Sequence, residues 1–336
     1  MKIFYAVQAT GNGHISRAME LLPALQEYGT VDIFLSGDNS NLQLDAPVKY
    51  RSNGISLYYN CGGGLHYWQM IRKFRPLQLR REIRDLPVEK YDLVINDFEY
   101  ITSAACAHKG IPSIHFGHQA SFQSPLAPRP GTKSITGEWI LKKYVKADHH
   151  LGLHFLSYDE NILPAVVKKE ILEADPTDDN YITVYLPAYC EEQLAKLLQA
   201  LPQYRFQVFS RETMLLRIEN NIEFLPVNKQ LFNKSLTGCS GIITGGGFET
   251  PAEALHLGKR MIIIPIKGQY EQQCNAAALM KMGIPCLERA GEELIQLLPH
   301  WIESPPLFRI DYSGSVPKSI ESLMNIAGSL SKQKAA

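Results

Sequence analysis

A glycine and histidine turn near the N-terminus contains residue types that could take part in chemistry. Gly11 and Gly13 follow the apolar run KIFYAV, and His14 and Arg17 belong to the helical pattern behind them. A histidine among the free N–H groups of a helix start can contact a phosphate or a sugar hydroxyl, or take up a proton near neutral pH. It could equally bond to its own turn. Because Ser16 replaces the third glycine of a dinucleotide fingerprint, the turn is weak as a dinucleotide motif.

A second glycine turn, within residues 242–278, predicts a site for an anion such as a diphosphate. It follows an apolar strand, and a helix is predicted to begin at Thr250, pointing free N–H groups at the ligand. Thr250 and Glu253 have the spacing of a capping box, so Glu253 is either a helix cap or an acceptor for ribose hydroxyls. The glycines of this turn are Gly245, Gly246 and Gly247.

Several amide side chains follow the next strand, MIIIPI. In a doubly wound sheet, ligands lie beyond the carboxyl ends of the strands, and amides there can donate to and accept from sugar hydroxyls. An ordinary solvated helix start is the alternative. The amide residues are Gln269, Gln272, Gln273 and Asn275.

The elements that must position these residues alternate along the chain. In both halves β-rich runs alternate with helical patterns, which is typical of parallel sheets covered by helices on both faces. The 336 residues, 45% of them hydrophobic, suffice for two domains. The proline- and acid-rich connection ILPAVVKKEILEADPTDDN marks their junction. We predict domains over 1–165 and 166–315, and a helix over about 316–332 that packs back on the first domain.

Composition limits the possible partners. Lys+Arg and Asp+Glu both number 34, and this balance argues against bulk binding to nucleic acid. The six cysteines show no CxxC spacing, which argues against a zinc site or a disulfide framework. No run approaches the ~18 apolar residues of a membrane span. We therefore expect a cytoplasmic protein that needs no metal and no cofactor.

A basic segment over residues 68–84 interleaves cations with large apolar side chains. This pattern suits peripheral contact with an anionic membrane, although a basic helix packed on one face explains it equally well. The cations are Arg72, Lys73, Arg75, Arg80, Arg81 and Arg84, and the apolar residues include Trp68, Met70, Ile71 and Phe74.

The stretch GGGFETPAEALHLGKRMIIIPIKGQYEQQCNA resembles the donor-site signature of GT-B glycosyltransferases, particularly enzymes similar to the N-acetylglucosaminyltransferase that forms lipid II. The loop from Gly11 to Arg17 resembles the acceptor-domain loop of the same superfamily. With YDLVINDFEY and GIPSIHFGHQ, the whole chain resembles a bacterial and archaeal group of glycosyltransferase-like proteins. The resemblance implies an α/β fold of two doubly wound, Rossmann-like domains that face each other across a cleft.

The resemblance also implies roles for individual residues. Gly246 and Gly247 would contact the diphosphate, Glu253 the ribose, and Gln272 and Gln273 the donor sugar. The segment FLPVN, ending at Asn228, lies where the nucleobase of the donor could be held. The other residues expected to bind substrate are Gly11, Gly13, Arg17, Gly245, Phe248, Glu249, Thr250, Gln269 and Asn275.

Sugar transfer requires a base that deprotonates the acceptor. Asp97 and Glu99 follow the fourth strand of the first domain and His118 follows the fifth, so all should face the cleft. We rank the candidates His14, Asp97, Glu99 and His118. Asp97 could instead cap a turn, and His118 could orient Gln119.

The implied activity is a metal-independent, inverting transfer of a sugar from a UDP-linked donor to an unidentified acceptor, which could be a glycan, a lipid or a small molecule. Three alternatives stay open from the sequence. They are a nucleotide-sugar hydrolase with the same glycine-histidine loop, a nonhydrolysing sugar-nucleotide epimerase, and a non-catalytic protein that binds a nucleotide or a sugar.

Overall fold

The computed structural model describes residues 1–9, 11–37, 44, 46–54, 75–306 and 308–335. Within them the chain forms two sheets, each accompanied by helices, as the alternating pattern predicts. The first sheet contains β1 (Lys2–Gln8), β2 (Thr30–Ser36), β3 (Val48–Ser52), β4 (Leu93–Asp97), β5 (Ile114–Gly117), β6 (His149–His154) and β7 (Ile162–Pro164). Its strands are parallel and lie in the order β3-β2-β1-β4-β5-β6-β7.

The helices of this half include α1, which follows β1 directly, and α3, which follows β4. They are α1 (Asn12–Gln26), α2 (Pro76–Asp85), α3 (Tyr100–Lys109) and α4 (Ile135–Lys143), with 3-10 turns at Val88–Lys90 and His118–Gln123. Residues Ile3 to Val7 of β1 are fully buried, because helices cover both faces of a parallel sheet. The strand order reverses at β1, so the start of α1 and the end of β4 meet where such sheets bind ligands.

The second sheet has the same architecture apart from one edge strand. It contains β8 (Ile182–Tyr185), β9 (Phe206–Ser210), β10 (Arg217–Glu219), β11 (Ile222–Pro226), β12 (Gly241–Thr244) and β13 (Arg260–Ile263). The order is β10-β11-β9-β8-β12-β13, and the pairing of β10 with β11 is antiparallel. Here the order reverses beside β8, which places the ends of β8 and β12 at the second ligand-binding position.

Seven helices follow β7 along the chain within the described residues. They are α5 (Lys169–Leu172), α6 (Glu191–Leu198), α7 (Lys229–Gly238), α8 (Glu249–Leu257), α9 (Tyr270–Lys281), α10 (Glu292–Glu303) and α11 (Ser315–Ala335). The last helix, α11, packs on α1 and β7 of the first half, where Ile320 and Leu323 join the hydrophobic core. The boundary between residues 165 and 166 stays a prediction.

One helix begins earlier than its sequence predicts. α8 starts at Glu249 rather than after a Thr250 cap. The capping-box interpretation of Glu253 is therefore wrong, because Phe248 precedes the helix and Thr250 is already its second residue. Pro251 is tolerated because its missing N–H would lack a helical partner in the first turn.

The predicted basic segment lies partly outside the described residues, because 68–74 are not described. In the part that follows, α2 has no buried residue. Contact of this segment with a membrane stays a prediction. Among the helices that the structure describes, none combines the length and the apolar character needed to cross a membrane.

Candidate functional site

A cavity of about 290 Å³ is lined by residues of both halves of the chain. The start of α1 and the turn after β5 form one wall, and the turn before α8, the start of α8 and the start of α9 form the other. From the first half, the predicted residues Gly11, Gly13, His14 and His118 line it. The structure thus brings together motifs that are far apart in the sequence.

His14 and Asp97 form a hydrogen-bonded pair at this cavity. Nδ1 of His14 lies 2.9 Å from Oδ1 of Asp97, and the His14 side chain is 12% exposed. Asp97, at the end of β4, is completely buried and does not line the cavity itself. Burial would raise its pKa, but the charges of Arg17 and His14 outweigh burial and lower the pKa of Asp97 to about 2. The carboxylate is therefore ionised at neutral pH.

Arg17 lies behind this pair and does not line the cavity. It is 2% exposed, and its Nε and Nη2 donate to Asp97 over 2.9–3.0 Å. Its Nη1 donates to Glu249 at the start of α8, so the guanidinium connects the two halves of the chain. Burial disfavours the charged form, but Asp97 and Glu249 together raise the pKa of Arg17.

Glu99 caps α3 and does not line the cavity. Its carboxylate accepts hydrogen bonds from the N–H groups of Ile101 (2.8 Å) and Thr102 (2.6 Å). Burial raises its pKa, and these backbone bonds oppose the increase. We do not propose it as the base. Between Asp97 and Glu99, Phe98 has a left-handed φ of 56° and lines the cavity, a position that the sequence analysis missed.

His118 joins the two halves rather than presenting a free nitrogen. Its Nδ1 donates to the carbonyl of Leu153 over 2.9 Å, and Nε2 lies 2.7 Å from Oδ1 of Asn275. The ring stacks on Phe248, with centroids 3.9 Å apart. Burial lowers the pKa of His118. With both nitrogens engaged, His118 is poorly placed to accept a proton from a ligand.

The glycine turn before α8 has two different surfaces. The N–H of Gly246 donates to Oε1 of Gln272 over 3.1 Å, and its carbonyl accepts from Nδ2 of Asn275 over 3.0 Å. A Cβ on Gly246 would overlap the backbone of Gln272, so this glycine permits close packing of α9. Gly245 and Gly247 line the cavity instead. Of the two glycines predicted to contact a diphosphate, Gly247 lines the cavity and Gly246 does not.

The first turn of α8 points into the cavity beyond Gly247. The first N–H groups of a helix lack helical partners and attract anions. Phe248, Glu249 and Thr250, all predicted from the sequence, line the cavity here. This wall can hold a negatively charged group.

Glu253 forms a buried ion pair that was not predicted. Oε1 of Glu253 lies 3.0 Å from Nζ of Lys168, which also donates to Oδ1 of Asn233 over 2.6 Å. Burial raises the pKa of Glu253, and the charge of Lys168 opposes the increase. Both residues line the cavity. No motif in the sequence marks Lys168 as a site residue, because it lies in the connection between the two sheets.

Two glutamine oxygens at the cavity have no hydrogen-bond partner among the residues described. They are Oε1 of Gln119, from the turn after β5, and Oε1 of Gln269, just before α9. Gln119 is 4% exposed, so its oxygen depends on a ligand or a water to be satisfied. Gln272 also lines the cavity, whereas Gln273 and Asn275 do not. Gln119 was missed as a binding residue, although it follows His118 directly.

Aromatic side chains line the remaining part of the cavity. Tyr185 ends β8, and its ring contacts Phe232 of α7 edge to face at 5.4 Å. Asn228 caps α7 by accepting from the N–H of Leu231 over 3.1 Å, and it also lines the cavity. Arg211, from the loop after β9, adds a cation at this wall. A flat ring could stack here beside polar groups.

A metal site was not expected. Across the described ranges, no group of three or more His, Cys, Asp or Glu side chains is arranged to hold a metal ion.

Comparisons with known proteins agree with this architecture. The model of a family described as "Glycosyl transferase family 1" matches residues 1–294. No curated protein matches the chain. The solved structures that it resembles confirm the predicted two-domain GT-B fold.

Three of these structures cover nearly the whole chain. UGT2 of Phytolacca americana, complexed with UDP-2fluoro-glucose and pterostilbene, is 15% identical with a TM-score of 0.59, over 97% of this chain and 94% of that one. MurG of Acinetobacter baumannii is 15% identical with a TM-score of 0.54, over 96% and 99%. The glycosyltransferase SnogD of Streptomyces nogalater is 14% identical with a TM-score of 0.54, over 99% of both chains.

Proposed function

This chain belongs to glycosyl transferase family 1, and we propose on that premise that it moves a sugar from a UDP-linked donor to a hydroxyl acceptor. The transfer inverts the anomeric carbon and needs no metal ion. The observation that carries the proposal is the His14–Asp97 pair at the wall of a cavity shared by both domains. A hydroxyl that enters this cavity meets a histidine whose other nitrogen is held by a buried carboxylate.

His14 is proposed as the general base that deprotonates the acceptor. With the proton on Nδ1 bonded to Asp97, Nε2 is free to take the proton of the acceptor hydroxyl. The acceptor oxygen then attacks the anomeric carbon from the face opposite the diphosphate. The new C–O bond forms as the bond to the diphosphate oxygen breaks, so the configuration inverts. Asp97 keeps the imidazole oriented and stabilises the imidazolium that forms.

The start of α8 is proposed to hold the departing diphosphate. Its free N–H groups and helix dipole stabilise the negative charge that develops on the leaving oxygens. Arg211 supplies a positive charge at the same cavity. These fixed groups would supply the stabilisation that a metal ion provides in other transferases.

The oxygens of Gln119 and Gln269, which have no partner in the described part of the chain, support a ligand rich in hydroxyl groups. Both can accept from sugar hydroxyls, with Gln272 beside them. Tyr185, Phe232 and Asn228 are proposed to hold the nucleobase of the donor. A uracil base agrees with the UDP-2fluoro-glucose in the Phytolacca americana structure, whereas the glycosyltransferase VinC was solved with dTDP.

Nucleotide release measures the proposed reaction. The protein is incubated with UDP-glucose or UDP-N-acetylglucosamine, with and without a panel of glycan, lipid-linked and small phenolic acceptors. Release that depends on an acceptor supports a transferase. Release at full rate in water alone would identify a hydrolase instead.

Binding can be tested separately by thermal shift. UDP or a UDP-sugar should raise the melting temperature, because a ligand that binds only the folded state stabilises it. NAD should not. If dTDP stabilises the protein and UDP does not, the proposed nucleobase, uracil, is wrong.

A further inference from the structure

We propose that Glu249 of the second domain is a positioning residue for His14, and that it selects, through Arg17, the tautomer in which Nε2 of His14 is unprotonated. The inference rests on the proposed function, because only that tautomer can serve as the base. The contact between Arg17 and Glu249, which joins the two domains, would thus set the tautomer of His14.

The guanidinium of Arg17 is divided between two carboxylates. Asp97 accepts from Nε over 3.0 Å and from Nη2 over 2.9 Å, while Glu249 accepts from Nη1. A guanidinium only donates hydrogen bonds, and its planar fork holds a fixed orientation when both sides are engaged. Because Arg17 is 2% exposed, the loss of either carboxylate leaves a buried donor without a partner.

Two groups compete for Nδ1 of His14. Oδ1 of Asp97 and Nη2 of Arg17 both lie 2.9 Å from this nitrogen. The carboxylate can only accept, so its bond requires a proton on Nδ1. The guanidinium can only donate, so its bond requires a bare Nδ1 and places the proton on Nε2. The position of the Arg17 fork therefore decides which tautomer is favoured.

Glu249 biases this competition towards Asp97. It holds Nη1 and so fixes the orientation of the fork in which Nε and Nη2 both donate to Asp97. It also adds a second carboxylate beside the single guanidinium of Arg17, which makes the surroundings of Nδ1 more negative. A net negative environment favours donation by Nδ1–H to Asp97 over donation by Arg17 to a bare Nδ1.

Gly13 makes room for this arrangement. A Cβ on Gly13 would overlap the carboxylate of Glu249, whereas a hydrogen leaves it in contact with Arg17. Gly13 is the second residue of α1, and its backbone does not adopt the left-handed conformation that favours glycine. Its position is explained by the approach of Glu249 from the other domain. Gly13→Ala should displace Glu249 without changing any charge.

The tautomer of His14 can be measured in the ligand-free protein by ¹⁵N NMR of histidine-labelled samples. The His14 signals are identified by their loss in His14→Gln. We expect the wild type to carry the proton on Nδ1. Glu249→Gln should shift the ratio towards the Nε2–H tautomer by about tenfold, the effect of losing one charged hydrogen bond. Gly13→Ala should shift the ratio in the same direction.

Glu271→Gln is the matched control, since Glu271 also lines the cavity from the second domain but forms no ion pair among the described residues. It should leave the tautomer ratio unchanged. A ratio in Glu249→Gln within about twofold of wild type would overturn the proposal. Because the measurement uses no substrate, a tautomer shift in a protein that transfers no sugar would uphold the positioning role and reject the proposed function.

Discussion

Nδ1 of His14 lies 2.9 Å from Oδ1 of Asp97, so the first turn of α1 and the end of β4 together form a histidine and carboxylate pair. The two residues are 83 positions apart, and the switch in strand order beside β1 brings them together. The pair resembles the base and orienting carboxylate of other enzymes that activate a hydroxyl group.

His14→Gln should lower kcat by roughly 10²- to 10⁴-fold, because general-base assistance is lost while the cavity keeps its shape. KM for the donor should change little. Steady-state release of UDP with a saturating acceptor measures both constants. His108→Gln, at an exposed histidine in the last turn of α3, is the control. Turnover by His14→Gln close to that of wild type would show that another group is the base.

Asp97→Asn should destabilise the fold at pH 7 by about 3 kcal/mol, because Arg17 would remain buried with one charged partner removed. Chemical denaturation gives this difference. The exposed Asp92→Asn, in the same half of the chain, should change stability much less.

The effect of Asp97 on stability should depend on pH. Folding lowers its pKa from 3.8 to about 2. The stabilisation is therefore present above pH 3.8 and is lost as the pH falls towards 2. The difference between wild type and Asp97→Asn should shrink by about 2 kcal/mol across this interval. A constant difference from pH 5 to pH 2 would contradict the lowered pKa.

Gln119→Ala should weaken binding of a UDP-sugar by about tenfold, because it removes a buried hydrogen-bond acceptor for a hydroxyl. Binding of UDP itself should be unaffected. Isothermal titration with both ligands separates the two effects, and Gln273→Ala, outside the cavity, serves as the control. Equal weakening of UDP and UDP-sugar binding would place Gln119 at the nucleotide instead.

Lys168→Met should destabilise the protein by roughly 3–5 kcal/mol, since it leaves the buried Glu253 carboxylate without its charged partner. Urea denaturation measures the change. The double variant Lys168→Met with Glu253→Gln should recover much of the stability, because no unpaired charge remains. Two additive losses would indicate that the residues do not interact.

Much of the architecture could be predicted from local sequence patterns. Buried strands produce apolar runs, and glycine turns after them mark the carboxyl ends of strands, so the two doubly wound sheets and the positions of His14 and Gly247 followed directly. The start of α8 did not follow. The pattern of Thr250 and Glu253 is compatible with a capping box, but α8 begins at Glu249 and Glu253 is paired with Lys168.

The sequence alone determined the fold class, the two glycine turns and the histidine that opens α1, because these depend on residues close together in the chain. Only the tertiary structure decided which polar side chains of the site bond to other residues of the protein. His118 and Asn275 are 157 positions apart, and Arg17 and Glu249 are 232 positions apart. These bonds form when the two sheets pack so that the carboxyl ends of their strands face each other. No pattern of neighbouring residues in the sequence predicts that packing. The same packing leaves the oxygen of Gln119 at the cavity without a hydrogen-bond partner among the residues that the structure describes.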